Sequence, residues 1–315
     1  MATYFVSQAT GHQSLATITH LLKTGAKIHA LVRSLEKAKT IPILHDTGVT
    51  LFEGESVDPD AVYKAAQGCQ GVFLNTVPIP GLEIPQARTI IEESQKAGIK
   101  SIVTSTVFCT GTPNFWDDDA TKSIKVTDEV SLYDYFRSKQ DVENLVRIAG
   151  FENWTVLRPG VIHIAYMMPH VMANFPKLHH NAELNHFCEP DARIAQTDCD
   201  DIGKYAAAAF QNPAKFSSES IELVSENMTQ KEVTQTLARV TGRKVVSKQY
   251  GVEEYDPNVF GAAFHLWSNI RDFTEVMKKA EAAQAKFGIP FTSLEDALTR
   301  DREQVLECIP VILEN

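Results

Sequence analysis

Tyr135-Phe-Arg-Ser-Lys139 sets a phenol and an ammonium four positions apart. On a helix that is one turn, so the two side chains share a face. An ammonium beside a phenol favours the phenolate, which suits the tyrosine to exchange a proton with a carbonyl substrate. The lysine has a second use, holding the ribose of a bound nucleotide. Ser105 and Thr106, at the end of a β-prone run, Ser101–Ser105, are candidates to hydrogen-bond the same carbonyl oxygen. As a bare pattern, Y-x-x-x-K also describes a surface tyrosine with a solvated lysine. The position of the pair in the fold must therefore carry the assignment.

A second group of residues suits phosphate. The first β-prone run, Thr3–Ser7, leads into Gln8-Ala-Thr-Gly11-His-Gln-Ser14 and then a helical pattern. Backbone amides at a helix N-terminus meet a pyrophosphate in such a position, and Thr10, Gly11, His12 and Gln13 are the expected contacts. In the glycine-rich form of this loop, glycines would stand at Gln8 and Ser14, where the tight turn and the close helix packing are made. An ordinary strand–turn–helix with one turn glycine reads the same way. The second strand ends Leu31-Val32-Arg33-Ser34, with no acid to take a ribose 2′-hydroxyl. A guanidinium suits a 2′-phosphate, with Lys37 and Lys39 nearby, so this end favours NADP(H). A solvated surface arginine is the competing reading. Glu55 and Ser56 are candidates to face the adenine, and Asn75 and Thr76 to border the cofactor.

These positions acquire meaning from the elements that hold them. Strands at Thr3–Ser7, Lys27–Val32, Val49–Glu53, Gly71–Asn75, Ser101–Ser105 and Thr155–Leu157 alternate with helical patterns. The helical patterns cover Gln13–Thr24, Leu35–Asp46, Asp58–Gly68, Pro85–Ala97 and Tyr135–Ala149. That alternation predicts an α/β fold with a Rossmann-type, doubly wound parallel sheet and right-handed crossovers. Ligands in such sheets lie beyond the carboxyl ends of the strands. After Arg158-Pro159-Gly160 the alternation breaks, and Pro159, ending the sixth strand, is expected at the cofactor. The predicted organisation is a dinucleotide-binding domain over 1–160, completed by about 196–225. A smaller, mainly C-terminal α/β substrate lobe takes 161–195 and 226–315. In this later part Asp200–Phe210 reads as a helix and Ser220–Val224 as a strand. Thr229-Gln-Lys-Glu232 is a capping box opening a helix to about Val240. Val245–Gln249 reads as a strand, and Glu275–Lys286 and Ser293–Arg302 as helices. Trp116, His163, Tyr166 and Met167 are candidates for an apolar substrate wall, with core packing as the alternative.

Bulk properties exclude several classes. The 315 residues are 43% hydrophobic and 22% charged, which is globular composition. A formal net charge of −10, with no run of lysine and arginine, disfavours direct nucleic-acid binding. Five scattered cysteines fit reduced thiols in the cytoplasm better than a disulfide framework. The chain enters its first strand with no leader pattern, and no apolar stretch reaches the roughly 18 residues of a membrane helix. His179, His180, His186 and Cys188 lie close together, but their spacing matches no familiar zinc site, so no metal is expected.

Across nearly its whole length the chain resembles the NmrA-like group of the atypical short-chain dehydrogenase/reductase superfamily. The resemblance rests on Ala9-Thr10-Gly11-His12-Gln13, Leu31-Val32-Arg33, Ser101–Ser105, Lys139 and Trp154-Thr-Val-Leu-Arg-Pro-Gly160. It continues through Asp200-Asp201-Ile-Gly, the Glu222–Val240 segment and Phe287-Gly-Ile-Pro-Phe-Thr-Ser-Leu-Glu-Asp296. It implies an NADP-preferring Rossmann domain and a smaller lobe that closes over the substrate. Members are either reductases or NADP sensors that regulate a protein partner. In the reductases the lysine matching Lys139 is the usual catalytic residue, and sensors often lack a tyrosine matching Tyr135. The expectation is an NADPH-dependent oxidoreductase reducing a small, largely apolar carbonyl, imine or conjugated alkene. By analogy with fungal members it belongs to secondary metabolism. An NADP(H)-sensing regulator and a non-redox cyclase or isomerase are the alternatives. The oligomeric state is not legible.

Overall fold

The computed structural model describes residues 1–79 and 81–311. They fall into two compact units, each built from separated stretches of chain. The first unit comprises Met1–Gly111, Arg137–Arg158 and Cys199–Ile221. The second comprises Thr112–Phe136, Pro159–Asp198 and the chain from Glu222 onward. Thr112–Phe136 thus groups with the later residues rather than within 1–160. The reason is aromatic: Trp116 stacks on Phe136, which packs on Trp267, which packs on Phe273.

The first unit is organised around a seven-stranded sheet. Its strands are β1 (Thr3–Val6), β2 (Lys27–Val32), β3 (Val49–Glu53), β4 (Gly71–Leu74), β5 (Ser101–Ser105), β6 (Asn153–Pro159) and β7 (Glu219–Leu223). They lie in the order β7-β6-β5-β4-β1-β2-β3. β1 through β6 pair in parallel, with Phe5 opposite both His29 and Val72. The chain runs outward from β1 to β3, then returns to lay β4 on the other side of β1. Strand order therefore reverses between β1 and β4, which makes that crevice the switch point. β4 is buried at all four residues, as expected of a strand covered on both faces. The covering helices are α1 (His12–Lys23), α2 (Pro59–Ala66), α3 (Glu83–Lys96), α4 (Leu132–Ile148) and α5 (Cys199–Gln211). Phe5, Leu31, Val62, Val72, Ile90, Ile102, Val142 and Val146 form the core beneath α2, α3 and α4.

Two helices differ from expectation for local reasons. The pattern over Leu35–Asp46 splits into Leu35–Ala38 and a 3₁₀ turn, Pro42–His45. Pro42 has no N–H to continue the ladder and holds Ile41 extended, at φ −107 and ψ 105. α4 starts at Leu132, three residues before Tyr135. Ser131 and Asp134 cap it reciprocally: the Asp134 amide donates to Ser131 Oγ at 3.1 Å and the Ser131 amide to Asp134 Oδ2 at 2.9 Å.

The second unit contains the strands Glu226–Thr229, Arg193–Thr197 and Val161–Ile162 in one small sheet. Val246–Gln249 pairs in parallel with Glu183–His186. The capping box at Thr229 and Glu232 is formed, and its helix ends at Thr241 before Gly242 at φ 69. Tyr166, Met167, Phe175, Leu184, Val233, Leu237, Leu298 and Val305 make the core. Phe260–Ser268 is a helix that no amphipathic stripe announces, since seven of its nine residues are buried. The Ser293–Arg302 pattern breaks at Asp301 into Leu294–Arg300 and Arg302–Cys308. Among the described residues no helix is long and apolar enough to cross a membrane.

Candidate active site

The loop after β1 accommodates both side chains that stand in place of glycine. Gln8 adopts φ 48, the left-handed region glycine enters without strain. Its carbonyl accepts the Gly11 amide at 2.8 Å, and its Nε2 donates to Ser56 Oγ at 3.1 Å. Ser14 is fully buried; its Oγ donates to the Ser7 carbonyl at 2.8 Å and accepts Asn75 Nδ2 at 3.4 Å. Gly11 is the N-cap of α1 and supplies no side-chain acceptor, and the first turn has no acid. The positive end of the helix dipole therefore meets no anion from its own cap or first turn. Thr10 and His12 are exposed on either side of Gly11.

The neighbouring strand ends converge on this loop. Ser105 Oγ, at the end of β5, donates to Gln13 Oε1 at 2.6 Å. Thr76 follows β4, and its Oγ1 donates to Glu83 Oε1 at 2.6 Å. Lys139 Nζ donates to the same oxygen at 2.5 Å, and Ser138 Oγ to Glu83 Oε2 at 2.6 Å. Lys139 is only 5% exposed. Arg33, ending just beyond β2, is exposed and in no ion pair among the described residues. The nearby Glu53 carboxylate accepts the Leu35 amide at 3.0 Å. Amides at an uncapped helix end, a buried ammonium and an exposed guanidinium are the donor set that fits a dinucleotide carrying a 2′-phosphate.

Thr106 takes a different place from Ser105. Its Oγ1 donates to Glu143 Oε1 at 2.9 Å. Glu143 is fully buried and also accepts Arg158 Nε at 2.9 Å, Arg158 Nη2 at 2.7 Å and Arg147 Nη2 at 2.6 Å. Thr106 is part of that buried ion cluster.

The remaining candidates lie in the second unit. Tyr135 is half-buried, its ring edge-on to Phe260 and Phe264, each at 5.7 Å between centroids. Trp116 is core, stacked on Phe136 at 5.9 Å. Tyr166 is fully buried, stacked on Phe175 at 5.2 Å, and its hydroxyl accepts Gln196 Nε2 at 3.1 Å. Met167 belongs to the same core. For Trp116, Tyr166 and Met167 the packing reading thus describes the side chains. His163 is 1% exposed and neither ring nitrogen has a hydrogen-bond partner. Burial, the largest influence on it, lowers its pKa to about 4. Pro159 is the last residue of β6. Of the residues weighed for zinc, His186 Nε2 meets Ser247 Oγ at 2.9 Å and its Nδ1 accepts the Cys188 amide at 3.2 Å. Burial pushes the Cys188 thiol up to about 12, away from the thiolate that ligation needs.

Glu83 and Glu143 were not legible in advance. Neither glutamate carries a periodic or spacing signal, and Glu83 meets Ser138 and Lys139 from more than fifty positions away.

The NmrA-like family model matches residues 2–301. An NmrA-like family domain-containing protein of Dictyostelium discoideum is 26% identical over 264 residues, covering 82% of each chain. Two solved structures share the fold. One is NmrA, a negative transcriptional regulator in complex with NADP, with a TM-score of 0.74, 18% identity and 96% of each chain covered. The other is the triphenylmethane reductase of Citrobacter sp. complexed with NADP(H), with a TM-score of 0.70 and 20% identity. It is matched over 94% of this chain and 99% of that one.

Proposed function

The chain belongs to the NmrA-like family, and from that premise we propose that it is an NADP(H)-dependent oxidoreductase acting on a small, largely apolar carbonyl, imine or conjugated alkene. One observation carries the reading: the uncapped start of α1, Asn75 and the Lys139 ammonium are linked around the β1–β4 switch point through Ser14 and Glu83. Arg33 would take the 2′-phosphate, the first amides of α1 the pyrophosphate, and Lys139 the nicotinamide ribose. Bound in this way, NADPH supplies a hydride. Lys139 would provide the proton that the reduced oxygen or nitrogen requires, and Ser105 the hydroxyl that holds the acceptor. Substrate selection is assigned to the second unit. The reductase named among the similar folds supports this reading.

A regulator that binds NADP without turnover is the second reading. It is favoured by Thr106, whose hydroxyl is engaged by Glu143 and so offers less to a substrate. The name of the regulator of similar fold supports it too.

Titration of the purified chain with NADPH and NADH separately, followed by nicotinamide fluorescence, tests both. The proposal expects NADPH to bind much more tightly than NADH and to be oxidised by quinone or imine acceptors. Tight binding with no oxidation across such acceptors favours the regulator. Binding of neither nucleotide overturns both.

A further inference from the structure

We propose that Glu83 is the positioning residue for Lys139, setting where its ammonium meets the nicotinamide ribose; this rests on the NADP(H) reading above. A lysine side chain is a point charge on a flexible stem and does not fix its own direction. Here the stem is buried and the ammonium is held 2.5 Å from Glu83 Oε1. The carboxylate is itself fixed from three sides. Thr76 donates to the same oxygen and Ser138 to the other, both at 2.6 Å. Glu83 is also the first residue of α3, where the helix dipole favours an anion.

The anchor is tied to the cofactor side of the sheet. Thr76 follows Asn75, whose Nδ2 reaches Ser14 in the first turn of α1 at 3.4 Å. The Val77 amide donates to Gln86 Oε1 of α3 at 3.0 Å, fixing the same loop to the helix that carries Glu83. A continuous path, Ser14–Asn75–Thr76–Glu83–Lys139, therefore sets the ammonium relative to the phosphate loop. Burying a lysine and a glutamate together costs desolvation that an apolar pair would avoid. A directional task for the ammonium accounts for that cost, since bulk stability does not require it.

The test compares two probes on the wild-type chain and on Glu83→Gln, Lys139→Ala and the double variant. NADPH spans the whole cofactor, whereas adenosine 2′,5′-bisphosphate lacks the nicotinamide half. Glu83→Gln is expected to weaken NADPH binding about tenfold, the scale of a charge-assisted hydrogen bond. Its affinity for the bisphosphate should stay at the wild-type value. Lys139→Ala should add little further loss of NADPH affinity on the Glu83→Gln background, because the two residues act through one contact. Glu83→Asp should recover part of it. Equal losses on both probes, or additive losses in the double variant, overturn the assignment while leaving the NADP(H) reading intact. If the wild-type chain binds neither probe, the NADP(H) reading fails and the assignment falls with it.

Discussion

Gly203 of α5 lies against the backbone of Ala16 in α1. A Cβ on Gly203 would stand 2.5 Å from both the carbonyl carbon and the carbonyl oxygen of Ala16. In the glycine-rich dinucleotide loop, the close packing is made by a glycine on the loop side. Here Ser14 occupies that place, and the close approach is between α1 and α5. Gly203→Ala should therefore push the two helices apart and destabilise the fold by about 1–3 kcal/mol, as overpacking does. Urea unfolding measures this. An unshifted midpoint would show that the helices separate without cost.

Lys139→Ala removes the proposed proton source while Glu83 keeps its bonds from Thr76 and Ser138. NADPH oxidation should fall by about 10²–10⁴-fold, the usual contribution of a positioned acid. Steady-state kinetics on a quinone acceptor checks it. A variant that turns over at the wild-type rate rules the lysine out.

Gln8 holds a left-handed backbone and one side-chain bond to Ser56. An L-residue in that conformation costs about 1–2 kcal/mol, and the bond returns roughly 0.5–1.5 kcal/mol. Gln8→Ala keeps the strain and loses the bond, so it should be less stable than wild type by about 1 kcal/mol. Gln8→Gly also loses the bond but escapes the strain, so it should be more stable than Gln8→Ala. If thermal unfolding ranks alanine above glycine, the strain at this position is not what the φ angle implies.

His163 should make the fold acid-sensitive. Its pKa is lowered from 6.5 to about 4 in the folded chain, first by burial and then by Arg300, against an opposing pull from Asp198. A lowered folded pKa means the unfolded chain binds this proton more readily than the folded one. The stabilisation is thus complete above pH 6.5 and is lost as pH falls from there to about 4, at up to about 1.4 kcal/mol per pH unit. His163→Leu should flatten that interval when urea stability is measured at several pH values. His265, lowered to about 3 by burial, will keep some slope. An unchanged profile in the variant would mean the imidazole titrates alike in the folded and unfolded chain.

The strands of the first unit were readable because each is a short apolar run with turn residues at both ends. Lys27–Val32, Val49–Glu53 and Ser101–Ser105 begin and end where their residues suggest. Lys139 was readable as a candidate from its spacing to Tyr135, though not its carboxylate partner. Glu83 meets Lys139 only after α3 and α4 have packed beside β4 and β5, and no local pattern encodes that meeting. The role of Thr106 was obscured for the same reason, since Glu143 and Arg158 reach it from other elements. Trp116 and Tyr166 invited a substrate-wall reading because aromatic residues outside a regular pattern look available. They are instead the packing that an irregular stretch needs when it has no amphipathic helix to bury.

Three separated stretches make up the first unit, and the last of them supplies both α5 and β7. During synthesis from the N-terminus, β6 is complete some sixty residues before β7 can cover its outer edge. For that interval the growing chain carries an unpaired strand edge and an α1 without its packing partner. The unit is therefore a late, high-contact-order folder, and interruption of translation near residue 198 would release a sheet primed to pair with a neighbour.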